Sequence, residues 1–299
     1  MRLGDERPSS NFEDRSGRGG FRGFGGGGGG GGAFGLLAGF VFSRFGIVGL
    51  LVLMLGYCAL GLVGGGDGGT GAGGFQTERQ AATETASTVD PQTRELVLRV
   101  LGSTERRWTD LFAAQGAQYR PTTLVFYSRT DRSGCGVAQA AMGPFYCPSD
   151  QRIYLDATFF EELRSRYGAA GDFAQAYVIA HEVGHHIQHL VGTLEAARRR
   201  QGALPEVEAN RVQVGVELQA DCLAGIWAAN DRNLMEEGDL EEGMNAAAAI
   251  GDDALQRAGQ GRVVPESFTH GSSAQRQQAL LRGYRGADPA ACDSYTAGL

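Results

Sequence analysis

Glycine is spread so unevenly along this chain that it dictates where a fold can form. Of 48 glycines in 299 residues, 27 fall within the first 75, including the unbroken run at 25–32. Such a stretch buries too little apolar surface to offset the entropy of ordering it. Residues 1–44 therefore read as a disordered, Gly/Arg-rich tail. The later residues carry the other 21 glycines, an ordinary share for a folded domain. A collagen-like or wholly disordered protein is excluded.

Residues 45–63 contain no charge, and the run is about long enough to cross a bilayer as one helix. Six arginines precede it, while Asp67 and Glu78 are the first charges after it. The positive-inside rule then leaves the N-terminus in the cytoplasm and exports everything downstream. The expectation is a single-pass protein of the cytoplasmic membrane: a tail at 1–44, a transmembrane helix at 45–63, a flexible linker at 64–90 and one extracytoplasmic domain at 91–299. The chain has no lysine and a net charge of −7. An acidic body of this kind lacks the basic face that a nucleic-acid partner requires.

Within 91–299, apolar residues recur at helical spacing over 91–116, 157–167, 172–191, 208–230, 236–257 and 272–283. Short strands are expected at 122–128, 136–143 and 152–156, bounded by Gly, Pro, Ser and Asp. Three strands among helices, followed by helices only, suggest an α+β domain. The four cysteines outside the apolar span permit three pairings. Cys135 and Cys147 flank a strand and the Gly143-Pro144 turn, which favours that pair and leaves Cys222 with Cys292; reduced, buried cysteines are the alternative.

The chemistry-bearing motif is His181-Glu182-Val183-Gly184-His185. Two histidines four residues apart leave one face of a helix about 6 Å apart along the axis, within reach of one metal ion. Glu182, on the adjoining side, suits a general base that takes a proton from an activated water and returns it to a leaving amine. Three protein ligands are usual at a catalytic zinc. His189 lies too far along the same helix to be the third, and Gln188 and Val191 break the extended three-histidine pattern. Glu217 is the better candidate, because Asp221 four residues on can hold a ligand histidine by its other ring nitrogen. Glu206 and Glu208 are rivals for the ligand role.

HEVGHH at 181–186, ELQADCLAGIW at 217–227, SGCG at 133–136, GPFYCPSDQRIYLD at 143–156 and SFTHGSSAQR at 267–276 together resemble the neutral zinc metallopeptidase (YpfJ-type) family of bacteria. The resemblance spans about 90–295 plus the Gly-rich N-terminus. It implies a zincin-like domain, in which a small sheet accompanies the HExxH helix and a second helix bearing Glu and Asp. It also implies bound Zn2+, a peptide or protein substrate and peptide-bond hydrolysis. Thr269-His270 followed by Arg276 resembles a segment near the active site of membrane-associated zinc peptidases. That likeness puts His270 or Arg276 near the reaction, supporting either the oxyanion or Asp221. His186 and His189 are expected to flank the site. The strand at 152–156 is either the sheet edge along which an extended peptide adds or a simple buried strand. The leading reading is a membrane-tethered zinc metallopeptidase with Glu182 and His270 as catalytic residues; the alternatives are a non-catalytic, zinc-containing envelope interaction module and a hydrolase of another amide.

Overall fold

The computed structural model of the chain describes residues 1–17 and 87–299. The described residues belong to one compact unit. The span expected at 45–63, most of the linker and residues 18–44 lie outside the described residues.

Strand β1 (Phe12–Asp14) precedes α1 (Pro91–Ala114). Then come β2 (Thr123–Tyr127), β3 (Thr130–Ser133), β4 (Gly136–Gln139), β5 (Phe145–Cys147) and β6 (Arg152–Asp156). The rest is helical: α2 (Thr158–Ser165), α3 (Asp172–Leu190), α4 (Thr193–Gln201), α5 (Glu206–Asn230), α6 (Asp239–Ala249), α7 (Asp252–Gln260) and α8 (Ser273–Gly286). Four strands form one sheet in the order β1-β2-β6-β5, while β3 and β4 make a separate antiparallel ribbon. Strands β1, β2 and β6 run parallel, with Glu13 opposite Val125 and Val125 opposite Tyr154; β5 is antiparallel to β6. The two-residue period of a strand sorts the side chains. Leu124, Phe126, Ile153 and Leu155 face the helical core, whereas Val125, Tyr127 and Tyr154 pack with Ala138 and Cys147 on the other face.

This architecture corrects four expectations. The fold is mostly helical with a small sheet, not an α+β domain behind a membrane helix, and among the described residues no helix is long and apolar enough to cross a membrane. Residues 1–17 are not a free tail: β1 pairs with β2, Leu3 is buried in the core, and the Ser9 amide donates to the Leu98 carbonyl at 2.8 Å. A single crossing between residues 17 and 87 would put β1 and β2 on opposite sides of a bilayer. The single-pass placement with a cytoplasmic N-terminus is therefore overturned as well. Finally, β6 is not an edge, since β2 and β5 flank it; the free edge on that side of the sheet is β5.

Helix α3 is enclosed on most sides: Phe173, Tyr177, Ile179, Val183 and Ile187 are buried, and so are the polar His181, Glu182, His186 and Gln188. Gly184 permits the closest approach of α5, for a Cβ there would meet the Ala220 carbonyl oxygen at 2.9 Å. On α5 and α8, Gly225 and Gly283 leave the same kind of room, since a Cβ on either would run into the other helix's backbone. The Cys222–Cys292 disulfide ties α5 to the C-terminal segment, and Cys135–Cys147 ties the ribbon to β5. Both pairs match those favoured by the cysteine spacing.

Candidate active site

The Gly184 contact sets α3 against α5 so that His181, His185 and Glu217 converge. His181 Nε2 lies 3.2 Å from His185 Nε2 and 3.2 Å from Glu217 Oε2, and His185 Nε2 lies 3.4 Å from the same oxygen. Ligands about 2.0–2.1 Å from a tetrahedral zinc stand about 3.3–3.4 Å apart, so this donor set fits the ion in both chemistry and spacing. Glu206 and Glu208 lie in the first turn of α5, outside this group.

The electrostatics also suit a cation. Burial alone would lower the pKa of His181, but Asp221 and Glu217 outweigh it and raise it to about 10. The same contest, decided by Glu217, raises His185. Burial opposes the Glu217 charge, yet His185 and His181 hold its carboxyl well below the usual range. Three donors that favour positive charge at their shared centre are a setting for a metal ion.

Asp221, fully buried, accepts from His181 Nδ1 at 2.7 Å, from Tyr177 Oη at 2.5 Å and from Arg276 Nε and Nη2 at 2.9 Å each. Burial would raise its pKa, but Arg276 and His181 bring it down to about 2. Its bond to Nδ1 leaves His181 Nε2 to face His185 and Glu217. Arg276 also donates to the Tyr177 hydroxyl at 3.1 Å and the Ile250 carbonyl at 3.2 Å. Its guanidinium is thus directed at Asp221, the second of the two partners expected for it.

A cavity of about 630 Å³ opens over the trio, and Glu182, His270 and Arg198 line it together with the apolar Met142, Phe145, Phe159 and Leu194. Glu182 is buried, and its Oε2 has no hydrogen-bond partner. His270 is half-exposed and held on the wall by Asp252, which accepts from its Nδ1 at 3.3 Å and from the backbone amides of Thr269, His270 and Gly271. That hydrogen bond to Asp252 raises the His270 pKa. Helix α8 begins just beyond in a capping box between Ser272 and Gln275, which directs Arg276 onto Asp221.

His186 points away from the cavity. Its Nε2 donates to the Arg120 carbonyl at 2.6 Å, and its Nδ1 accepts from Tyr146 Oη at 3.0 Å. Burial pushes its pKa down to about 4. His189 ends α3 beside the Tyr146 ring. Sequence reasoning missed Tyr177, Gln188 and Gln213. All three could have been read from spacing, lying three or four residues from His181, His185 or Glu217 on the same helix. A second acidic group, Asp172, Asp239 and Glu242, lies at the start of α3. Its carboxylates are engaged by the Met1 ammonium and the Phe173 amide.

Comparison with known proteins supplies the family. Residues 1–295 match the model of a family described as "Putative neutral zinc metallopeptidase". The uncharacterized protein YpfJ of Escherichia coli (strain K12) is 43% identical over 248 residues, covering 82% of this chain and 84% of that protein. An uncharacterized protein of Mycobacterium tuberculosis (strain ATCC 25618 / H37Rv) is 41% identical over 191 residues, 60% of this chain and 63% of that one. No solved structure gives a significant match. Five separated sequence motifs, a convergent His-His-Glu trio and a family match over nearly the whole length agree, and the chain belongs to the neutral zinc metallopeptidase family.

Proposed function

We propose that this protein hydrolyses peptide bonds, with His181, His185 and Glu217 holding one zinc ion and Glu182 moving the proton. The observation that carries the reading is the buried, unpartnered Oε2 of Glu182 in the wall of the cavity that contains the trio. An acid kept there without a partner costs stability, and a closed structural zinc site has no use for one. Bound zinc would supply Lewis acidity toward the scissile carbonyl and make water a better acid. Glu182 takes a proton from the attacking water as oxygen adds to the carbonyl carbon. It then delivers that proton to the leaving nitrogen as the C–N bond breaks. His270, fixed through Nδ1 by Asp252, offers its other nitrogen to the carbonyl oxygen as negative charge develops there. Edge strand β5, whose Phe145 and Tyr146 line the cavity, gives an extended peptide a strand to pair with.

Metal analysis of the full chain, paired with a peptide-library cleavage assay, tests the reading. One zinc per chain and metal-dependent cleavage are expected, with the zinc lost in Glu217→Ala. A wild-type protein that holds zinc but cleaves no peptide would favour the interaction module. Full zinc retention in Glu217→Ala would move the third ligand elsewhere.

A further inference from the structure

Each of the three ligand side chains has a second polar atom that faces away from the shared centre, and a different residue holds each one. Asp221 takes His181 Nδ1. Gln188 Oε1 lies 2.9 Å from His185 Nδ1, and Gln213 Nε2 donates to Glu217 Oε1 at 2.9 Å. Gln188 is completely buried, and its amide can face only one way. Its nitrogen lies 2.7 Å from the Val216 carbonyl oxygen and 2.9 Å from Gln219 Oε1. A carbonyl oxygen can only accept, so the NH2 must point there and the Gln188 oxygen must point at His185. His185 then carries its proton on Nδ1 and keeps Nε2 for the metal. Gln213 is oriented from its other end, where Gln201 Nε2 donates to its Oε1 at 2.9 Å. Its own N–H therefore meets Glu217 Oε1, leaving Oε2 as the oxygen that faces both imidazoles.

Resting on the zinc reading above, we propose that Gln188 and Gln213 are positioning residues: Gln188 fixes the ring-nitrogen choice of His185, and Gln213 fixes Glu217 as a one-oxygen ligand. The support is asymmetric. A charged carboxylate holds one histidine and a neutral amide the other, so the residues that orient the two rings contribute one negative charge, that of Asp221. Gln188 also spans from α3 to the carbonyl just before Glu217, joining the two ligand-bearing helices with one side chain. Gln201 extends the line of amides to α4, whose Leu194 and Arg198 form part of the cavity wall.

Two substitutions at Gln188 separate positioning from packing. Gln188→Met removes the acceptor for His185 and both donor bonds, whereas Gln188→Glu loses the donor bonds but keeps an acceptor. Zinc affinity of the full-length protein is measured by competition with a chromogenic chelator, and melting of the metal-free protein is recorded alongside. Gln188→Met should bind zinc about 10–100-fold more weakly, the usual cost of losing a residue that orients a ligand. Gln188→Glu should bind within about threefold of wild type by retaining that orienting bond, even though the metal-free protein melts lower. Gln213→Leu provides an independent arm, with weaker zinc binding and an altered absorption spectrum of the cobalt-substituted protein. Equal losses of zinc affinity in Gln188→Met and Gln188→Glu would overturn the proposal in favour of simple helix clamping. Unchanged affinity in Gln188→Met or Gln213→Leu would overturn it too. Failure of the wild-type protein to bind zinc would instead refute the reading on which it rests.

Discussion

Asp221→Asn is the perturbation whose cost the structure defines best. Asp221 is fully buried, and so is Arg276, whose two bonds to it are 2.9 Å long. Removing one partner of a buried ion pair leaves the other charge uncompensated, which costs about 3–5 kcal/mol. For a folded unit of this size each kcal/mol moves the melting temperature by about 2–4 °C, so a fall of about 6–20 °C is expected. Arg276→Met should cost a similar amount by stranding the carboxylate. In the double variant Asp221→Asn/Arg276→Met neither charge remains, and the loss should be well below the sum of the single losses. Scanning calorimetry of the metal-free proteins measures all three. Zinc binding by Asp221→Asn should weaken about 10–100-fold, because the charged carboxylate that orients His181 is replaced by a neutral amide, a weaker acceptor. A single variant melting within about 2 °C of wild type, against that expected fall, or strict additivity in the double variant would refute the reasoning.

Two further outcomes follow from the fold. Deleting residues 1–17 should destabilise the domain severely, since it removes a paired strand and buried Leu3, which is itself worth about 1.5–3 kcal/mol; an unchanged melting temperature would show that β1 is not part of the working fold. His186 is held at about 4 against 6.5 in the unfolded chain. The unfolded state therefore binds the proton first, and stability is complete above 6.5 and lost as pH falls towards 4. The loss is about 1.4 kcal/mol per unit, about 3 kcal/mol in all. Denaturant titrations at pH 7 and 5 should show the slope, and His186→Gln should flatten it.

The parts of this molecule legible in the sequence are those in which local periodicity and chemistry coincide. The helix expected at 172–191 is observed at Asp172–Leu190, and the one expected from 208 begins at Glu206. Histidines four apart and a Glu/Asp pair four apart then meet across a glycine contact that the motif itself contains. What stayed hidden depends on partners distant in sequence. A three-residue strand such as β1 has no periodicity of its own, and it lies in a stretch whose composition argues for disorder; only its register against β2 gives it structure. The alternation over 152–156 reveals a strand but not its neighbours, so it cannot tell an interior strand from an edge. The break between α6 and α7 at Gly251 is likewise tertiary, because a Cβ there would run into Ser273 of α8. Gln188 breaks the three-histidine pattern, and its place three residues after His185 puts it where an amide can hold that ring.

The central claim is that Glu182 moves the proton without holding the metal, and a single comparison tests it: zinc content and peptide cleavage by full-length wild type and Glu182→Gln, side by side. The substitution keeps the side chain's shape and removes its basic oxygen. The variant should fold and bind one zinc as wild type does, while kcat falls by at least about 10²–10⁴-fold. Undiminished cleavage by Glu182→Gln at full zinc occupancy would contradict the account and make His270 the next candidate for the proton-transfer role.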